Sequence, residues 1–499
     1  MQHIQGEERN QMMMFSLESA ISPESFVRVI DAFVDAIDLK SFGFRHVECK
    51  EEGRPPYHPA ILLKLYLYGY QNGIRTTRRL EREARLNIEV MWLLSGQRPH
   101  YHTIGDFRKD YKKPFREIFR RFVYLLKTWQ LIEGETIAID SFKIRAQNSL
   151  KNNYNDKKIA RHLEYIDEKI SAYQSLLDAG DKEEDKQEIE EKIAKQDQKK
   201  ASYQKLREDL KASGEEQISL TDADAKAVVL HRNIVNVGYN VQASIDAKNK
   251  LLVEYSTGEV NDTHALSEIA IESKKLLQVE KLDVLADKGY HTGEEIRNCE
   301  TENITTYVSP RASSTNNKEL YSIDKFTYNK ETDNYICPAG EKLQTNGNWL
   351  KHSKNNDRRS PYKFKRYTTK ACKACKLLSK CTESKNGRAI DRSEYADALE
   401  ANNQRVLENP DYYRQRQQIT EHIFGTLKRQ RGFTHAMVKS KEKVLGEVGL
   451  MFIGYNLTRC VTILGVEKLI KALKNNCLCV FNHIIWQILS RFNRFIIFN

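Results

Sequence analysis

At 499 residues the chain is too long for one ordinary core, so two or three domains with insertions are expected. A net charge of +12 with 30% charged residues favours a polyanionic partner, nucleic acid before membrane. The start carries no basic, apolar leader and no uncharged run of about 18 residues occurs, so neither secretion nor membrane spanning is expected, and a cytoplasmic protein is.

Ser22-Pro23-Glu24 reads as a helix start, with a capping hydroxyl, a proline at the first helical position and an acid at the positive end. Phe26, Ile30, Phe33 and Ile37 follow at helical spacing. Short helices are predicted from Ala60 to Tyr70, ending near Gly73, from Thr77 to Leu86, and from Val90 to Leu94, stopping before Gly96. The basic one of these, with Arg75, Arg78, Arg79, Arg82 and Arg85, fits a helix-turn-helix reader of a DNA groove; a solvated basic helix is the bland alternative.

Ile137-Ala138-Ile139-Asp140 is an apolar, β-prone run ending in an aspartate, which puts a carboxylate at a strand's C-terminal end. The chain then leaves the sheet. Ile159, Leu163, Ile166, Ile170, Tyr173 and Leu177 alternate four and three apart, Gly180 permits a turn, and a charged second arm runs from Lys182 to Ala212. This is an antiparallel helical hairpin. Tyr239 to Asp246 and Leu251 to Ser256 are predicted hairpin strands around Lys248-Asn249, and Thr263 to Leu277 a crossover helix. Leu282 to Ala286 is a second strand ending in an aspartate, Asp287, and Ile304 to Val308 is the last strand expected. Asp246 and Asp262 also sit near predicted strand ends, and Asp262 rivals Asp287.

Between Ser309 and Leu407 lies an irregular stretch rich in Asn, Lys and Tyr. Its Cys337, Cys372, Cys375 and Cys381 offer four thiolates for a tetrahedral Zn²⁺, against the alternative of reduced loop thiols. An odd total of nine cysteines fits reduced thiols better than a disulfide framework, and Cys49, Cys299, Cys460, Cys477 and Cys479 have no ligand spacing. Arg416 to Lys428 reads as a helix with Glu421 and Lys428 about two turns apart on one face. Lys441 to Arg459 is a second late helix, and the tail from Cys477 is apolar enough to dock on the core or a partner.

Asp140-x-x-Lys143-Ile144, Ala286-Asp287-x-Gly289-Tyr290, Glu421-His422-x-Phe424-Gly425-x-x-Lys428 and Tyr455-Asn456-Leu457, in that order, resemble the DDE transposases of bacterial insertion sequences, over about Tyr57 to Arg459. One departure stands out: such transposases often space Y-x2-R-x3-E, and Tyr413, Arg416 and Glu421 give Y-x2-R-x4-E. The resemblance implies an α/β fold with a ribonuclease H-like mixed sheet flanked by helices. It implies cleavage and strand transfer at terminal inverted repeats, on element ends and target of double-stranded DNA, by a homodimer associated with the nucleoid.

In-line attack on a phosphodiester develops charge on the attacking and leaving oxygens, which two Mg²⁺ or Mn²⁺ ions stabilise from carboxylate ligands. The resemblance assigns Asp140, Asp287 and Glu421 to these ions, and Lys428, with Arg414 and Arg416, to phosphate. Lys143, His291 and His422 beside them read as supporting residues. An inactive DNA-binding relative and a ribonuclease H-like nuclease without strand transfer are the alternatives. The expected division is an all-α DNA-binding domain (1–130), catalytic segments (131–155, 218–308 and 408–465), a helical-hairpin insertion (156–217), a Cys-rich insertion (309–407) and an apolar tail (466–499).

Overall fold

A computed structural model of the chain describes residues 10, 14, 16–49, 52, 55–179, 183–231, 234–258, 260–311, 320–351, 362–476 and 478. The apolar tail from Cys477, apart from Leu478, and the expected turn at Gly180 lie outside the described residues.

Helices come first: α1 (Leu17–Ala20), α2 (Phe26–Asp35), α3 (Pro59–Gln71), α4 (Thr77–Leu86), α5 (Ile88–Leu93), α6 (Tyr101–Asp110) and α7 (Lys112–Thr128). Then come β1 (Thr136–Arg145), β2 (Asn153–Asn155), α8 (Asp156–Ala179), α9 (Glu183–Ser213), β3 (Gln217–Ser219), β4 (Lys226–His231), β5 (Ile234–Asp246) and β6 (Leu252–Thr257). Helix α10 (Leu266–Leu277), β7 (Leu282–Ala286), α11 (Gly293–Thr301) and β8 (Ile304–Val308) follow. Short elements succeed them: β9 (Thr327–Asn329), β10 (Asn334–Ile336), β11 (Lys342–Gln344), β12 (Leu350–Lys351), β13 (Lys363–Tyr367), α12 (Leu378–Cys381) and β14 (Ile390–Ser393). The chain continues through α13 (Ala396–Glu408), α14 (Pro410–Gly425), a π turn (Thr426–Gln430), α15 (Lys441–Leu464) and α16 (Val466–Lys474).

The chain packs as two compact units, one of residues 1–133, 141–261 and 419–499, the other of 134–140 and 262–418. Strand β1 and helix α14 each contribute to both. This division cuts across the segments expected from the sequence, because a unit is defined by what packs together and not by what is consecutive.

In the first unit the amino-terminal helices form as the caps dictate, with one change. Helix α2 starts later than Ser22-Pro23 implied: Ser25 caps it, its hydroxyl accepting from the Val27 amide, while Ser22 caps only a turn through the Glu24 amide. Its apolar stripe, Val27, Ile30, Phe33 and Val34, is buried, and α3 is apolar almost all round and buried likewise. Helix α15 runs against α3 and α7, buried from Val444 to Leu457. Gly446 and Gly449 sit where a Cβ would meet the Lys112 backbone at 2.9 Å and the Tyr255 hydroxyl, so only glycine lets these elements approach.

Also in this unit, β5 pairs antiparallel with β4 at its start and with β6 at its end, and the second half of β1 lies beside it. Strand β4 was not anticipated. The helical hairpin is present: α8 and α9 are antiparallel, tied by Asp156 with Arg207 and Asp167 with Lys200, both at 2.7 Å. Tyr154, Ile159, Leu206 and Leu210 make a small core at its base, while Tyr173 and Leu177 farther out are only half-buried.

In the second unit the first half of β1, then β7, then β8 run parallel. Ile137, Ala138 and Ile139 are all fully buried, the continuous apolar run that a central parallel strand needs. Helix α13 falls inside the expected Cys-rich insertion yet packs on β8 and α11. Its buried Asn402 donates to the Val308 carbonyl at 2.8 Å and accepts from the Val308 amide at 2.9 Å.

The stretch before α13 is better cored than its composition implied. Strands β9, β10 and β11 form one antiparallel sheet and β12, β13 and β14 another. Phe326, Tyr335, Leu343, Tyr367, Cys381 and Ile390 pack between them. Among the described residues no single helix is long and apolar enough to cross a membrane; α15 and α16 reach that composition only as a pair bent by 115°.

Candidate active site

The β1 to β7 register pairs Ile139 with Ala286, so Asp140 and Asp287 are the next residues along two adjacent parallel strands. Neighbouring strands lie about 4.8 Å apart, which brings the two carboxylates to one place. Asp140 does not end its strand, as the sequence reading had it; β1 runs on to Arg145, and it is β7 that stops, at Ala286. Asp140 is therefore where β1 loses its parallel neighbour. Both aspartates are half-buried.

Asp287 caps a short turn, Lys288–Tyr290, its Oδ1 accepting from the Gly289 amide at 2.7 Å. A Cβ on Gly289 would stand 2.9 Å from that oxygen and 3.3 Å from Asp262 Oδ2. The glycine of the Asp-x-Gly-Tyr motif thus lets two carboxylates close on one stretch of backbone, and Asp262 is beside Asp287 and not merely near a strand end. Arg311 holds the same turn from outside, donating to the carbonyls of Lys288 at 2.9 Å and Gly289 at 2.6 Å. The other rival, Asp246, is a buried turn cap that accepts from the amides of Glu133 and Lys248.

Helix α14 follows β1 in direction. Tyr412 accepts or donates at Thr136 Oγ1, 2.7 Å away, and donates to Asp283 Oδ2 at 2.9 Å, where the strands begin. One turn later Arg416 reaches Asp140 Oδ2 at 3.3 Å. The motif spacing drew attention to Tyr413; the i, i+4 spacing of Tyr412 and Arg416 was the available signal for the residues that face the strands. Arg414 is exposed and pairs with Asp411 at 2.7 Å.

Glu421 and His422 are exposed on the last turns of α14. The α-helix does not continue to Lys428 as expected: it ends at Gly425, and a π turn carries Lys428. A wider turn advances less angle per residue, so Lys428 is rotated from the face an unbroken α-helix would share with Glu421. Its ammonium lies 5.9 Å from the centre of the Phe142 ring, itself packed on Phe424 and Phe433. His291 Nε2 donates to Asn403 Oδ1 at 2.8 Å, and burial pushes the His291 pKa down. Lys143 is half-buried.

Four of the five arginines assigned to DNA are exposed on or along α4: Arg78, Arg79, Arg82 and Arg85. Arg75 is not. It precedes the helix, is 5% exposed, and is spent on Glu447 at 2.9 Å and on backbone carbonyls, so it does not present a charge to solvent.

Cys337, Cys372, Cys375 and Cys381 line one apolar-walled cavity of about 20 Å³ with Phe326, Leu343 and Arg388. Two tight turns bring them there: Gly340 donates to the Cys337 carbonyl at 2.8 Å with φ of 83°, and Cys375 to the Cys372 carbonyl at 3.2 Å. Burial pushes the Cys381 thiol up, Arg388 pulls it down, and the other three cysteines push it up further. The donor set, four soft sulfurs, suits Zn²⁺, and the hard oxygens of Asp140 and Asp287 suit Mg²⁺. Among the described residues no three His, Cys, Asp or Glu side chains are gathered tightly enough to hold a metal ion.

Residues 15–110 match the family described as Transposase domain (DUF772), and residues 336–461 match the Transposase DDE domain. The first covers α1 to α6; the second begins in the Cys-rich stretch and runs through α14, the π turn and most of α15. Comparison with curated proteins and with solved structures gives no match. The two matches, with the ordered motifs from Asp140 to Leu457, support the family that the resemblance implied, the DDE transposases of insertion sequences.

Proposed function

We propose that the protein binds the terminal inverted repeats of its own insertion sequence, cuts the DNA there and joins the freed 3′ ends to a target. The observation that carries this reading is the register of β1 and β7, which makes Asp140 and Asp287 neighbours at the point where β7 ends. Parallel β7 and β8 beside the first half of β1, and the β5–β6 hairpin beside its second half, support a ribonuclease H-like sheet.

In this reading Asp140, Asp287 and Glu421 would hold two Mg²⁺ or Mn²⁺ ions, with Asp262, beside Asp287 at Gly289, available to share the task. When bound, such ions lower the pKa of the attacking water and neutralise charge on both the attacking and the leaving oxygen. Arg416 orients the Asp140 carboxylate. Lys428, its ammonium over the Phe142 ring, offers a point charge to a phosphate, and exposed Arg414 a second. Arg78, Arg79, Arg82 and Arg85 face DNA from α4, supplying the counterion-releasing contacts that dominate affinity. Cys337, Cys372, Cys375 and Cys381, which line one cavity, would take a structural Zn²⁺. Cutting two element ends needs two such sites, which supports a homodimer on DNA, working on the nucleoid.

A joining assay tests the reading. DNA carrying the sequences that flank the coding region is incubated with the protein, Mg²⁺ and a supercoiled target plasmid. Covalent joining of donor 3′ ends to target is expected. Nicking without joining would leave a nuclease, and specific binding without either would leave a DNA-binding relative.

A further inference from the structure

The arginine that fails as a DNA contact has a different place in the molecule. Arg75 lies one residue before the cap of α4 and is 5% exposed. Its guanidinium grips three groups at once: Nη1 donates to the Gly432 carbonyl at 3.0 Å, and Nη2 donates to the His435 carbonyl and, at 2.9 Å, to Glu447 Oε1. Its Cζ lies over the Phe433 ring, 4.6 Å from the ring centre. Glu447, with no exposed side chain, accepts also from the Tyr70 hydroxyl and the Met437 amide, both at 2.8 Å. Burial pushes its carboxyl up, and Arg75 and Arg108 more than reverse that.

What is gripped is the loop of residues 431–437, which leaves the π turn of Lys428. That loop is fastened at both ends. Phe433 donates to the Leu427 carbonyl at 2.9 Å and Arg431 to the Thr426 carbonyl at 3.0 Å, closing it onto the π turn. Farther on, the Thr434 carbonyl accepts from the Arg145 amide at 3.0 Å and the Ala436 amide donates to the Arg145 carbonyl at 2.8 Å, fixing it to the end of β1. Phe433 and Lys428 then meet on one ring, Phe142, two residues after Asp140 on that strand.

We infer that Arg75 is a positioning residue that clamps the 431–437 loop and thereby sets where the π turn holds Lys428 over the end of β1. The inference rests on the proposed role of Lys428. The clamp is selective for arginine: a planar fork can satisfy two carbonyls and a carboxylate while stacking on an aromatic ring, and an ammonium cannot reach all four. It also makes one piece of the segment that begins the DNA-facing helix and the segment that carries the phosphate-binding lysine.

The test compares Arg75→Lys and Glu447→Gln with the wild type and with the double variant Arg78→Ala, Arg82→Ala. Cleavage of DNA carrying the flanking sequences is measured in Mg²⁺ at saturating DNA, and binding of the same DNA at several salt concentrations. Arg75→Lys is expected to slow cleavage at saturation by roughly ten- to a hundredfold, as small misplacements of positioning groups do, with affinity and salt slope unchanged within about twofold. The double variant is expected to lower the salt slope by about 2. Backbone hydrogen exchange without DNA is expected to rise across 431–437 in Arg75→Lys. Wild-type cleavage in both single variants, unaltered exchange in that loop, or a salt slope that Arg75→Lys lowers as the double variant does would each overturn the clamp. If Arg75→Lys does not fold, Glu447→Gln is read alone on the same three measurements. If the wild type cuts nothing, the catalytic reading falls, and the exchange measurement alone decides the clamp.

Discussion

Asn402 and Asn456 each do with one side chain what a neighbouring strand would do with its backbone. Asn402 meets both the amide and the carbonyl of Val308 on β8; Asn456 meets both of Leu252 on β6, each at 2.9 Å, and both asparagines are fully buried. Replacing either by leucine keeps the volume and strands two buried backbone groups, so Asn402→Leu or Asn456→Leu should lower stability by about 2–4 kcal/mol in urea unfolding. A loss below about 0.5 kcal/mol would mean that the strands find other partners. Asn456 stood in a recognised motif, Tyr455-Asn456-Leu457, but nothing in its letters said that it completes a strand edge, because the strand is some 200 residues away in sequence. Arg75 was misread for a related reason. An arginine among arginines reads as exposed, and only a buried glutamate far along the chain makes burial tolerable. The signal that was available is local: α4 begins at Thr77, with Thr76 at the N-cap position, so Arg75 lies outside the helix whose face it was assigned to.

Elements with a clear period were legible, and those without were not. Helix α4 and strands β7 and β8 have the bounds read from the sequence: Asn87 follows the first, Asp287 the second and Ser309-Pro310 the third. The strands from β9 to β14 are two to five residues long, too short to show an alternation, and their core mixes Tyr335 and Tyr367, which composition marks as amphipathic, with scattered apolar residues. That small core turns on Asp333, which accepts from Lys365, Tyr367 and Tyr328 and whose carboxyl these partners hold down to about 2, against burial. A carboxyl held below its ordinary value of 3.8 lends stability that is present above that value and lost as pH falls through about 2. Asp333→Asn should therefore loosen residues 320–395 to protease at pH 7, and its difference from the wild type should close between about pH 4 and pH 2. An equal difference at both ends of that range would show that the charge is not what matters. The same stretch tests the cysteines: if they hold Zn²⁺, chelation or Cys372→Ser should expose it to protease and release about one metal ion per chain. Metal-free protein with an unchanged cleavage pattern would leave four reduced thiols.

The whole chain is divided by packing in a way that chain order hides. Strand β1 serves both units, and so does α14, so the segments of consecutive residues expected from motif spacing correspond to neither unit. What motif order did reveal is which residues to look for: Asp140 and Asp287 are brought to one level of two parallel strands by a register that no local pattern specifies. On the proposed reading, DNA binding through the exposed arginines of α4 depends on salt, and the acids serve cutting rather than affinity. Binding and cutting should therefore come apart. The direct measurement is cleavage of DNA bearing the flanking sequences, in Mg²⁺, by Asp140→Asn, Asp287→Asn and Glu421→Gln, with binding of the same DNA followed in parallel. Each variant is expected to bind within about threefold of the wild type and to cut at least about a thousandfold more slowly. Cutting near the wild-type rate by Asp140→Asn or Asp287→Asn would contradict a catalytic centre at the end of β7.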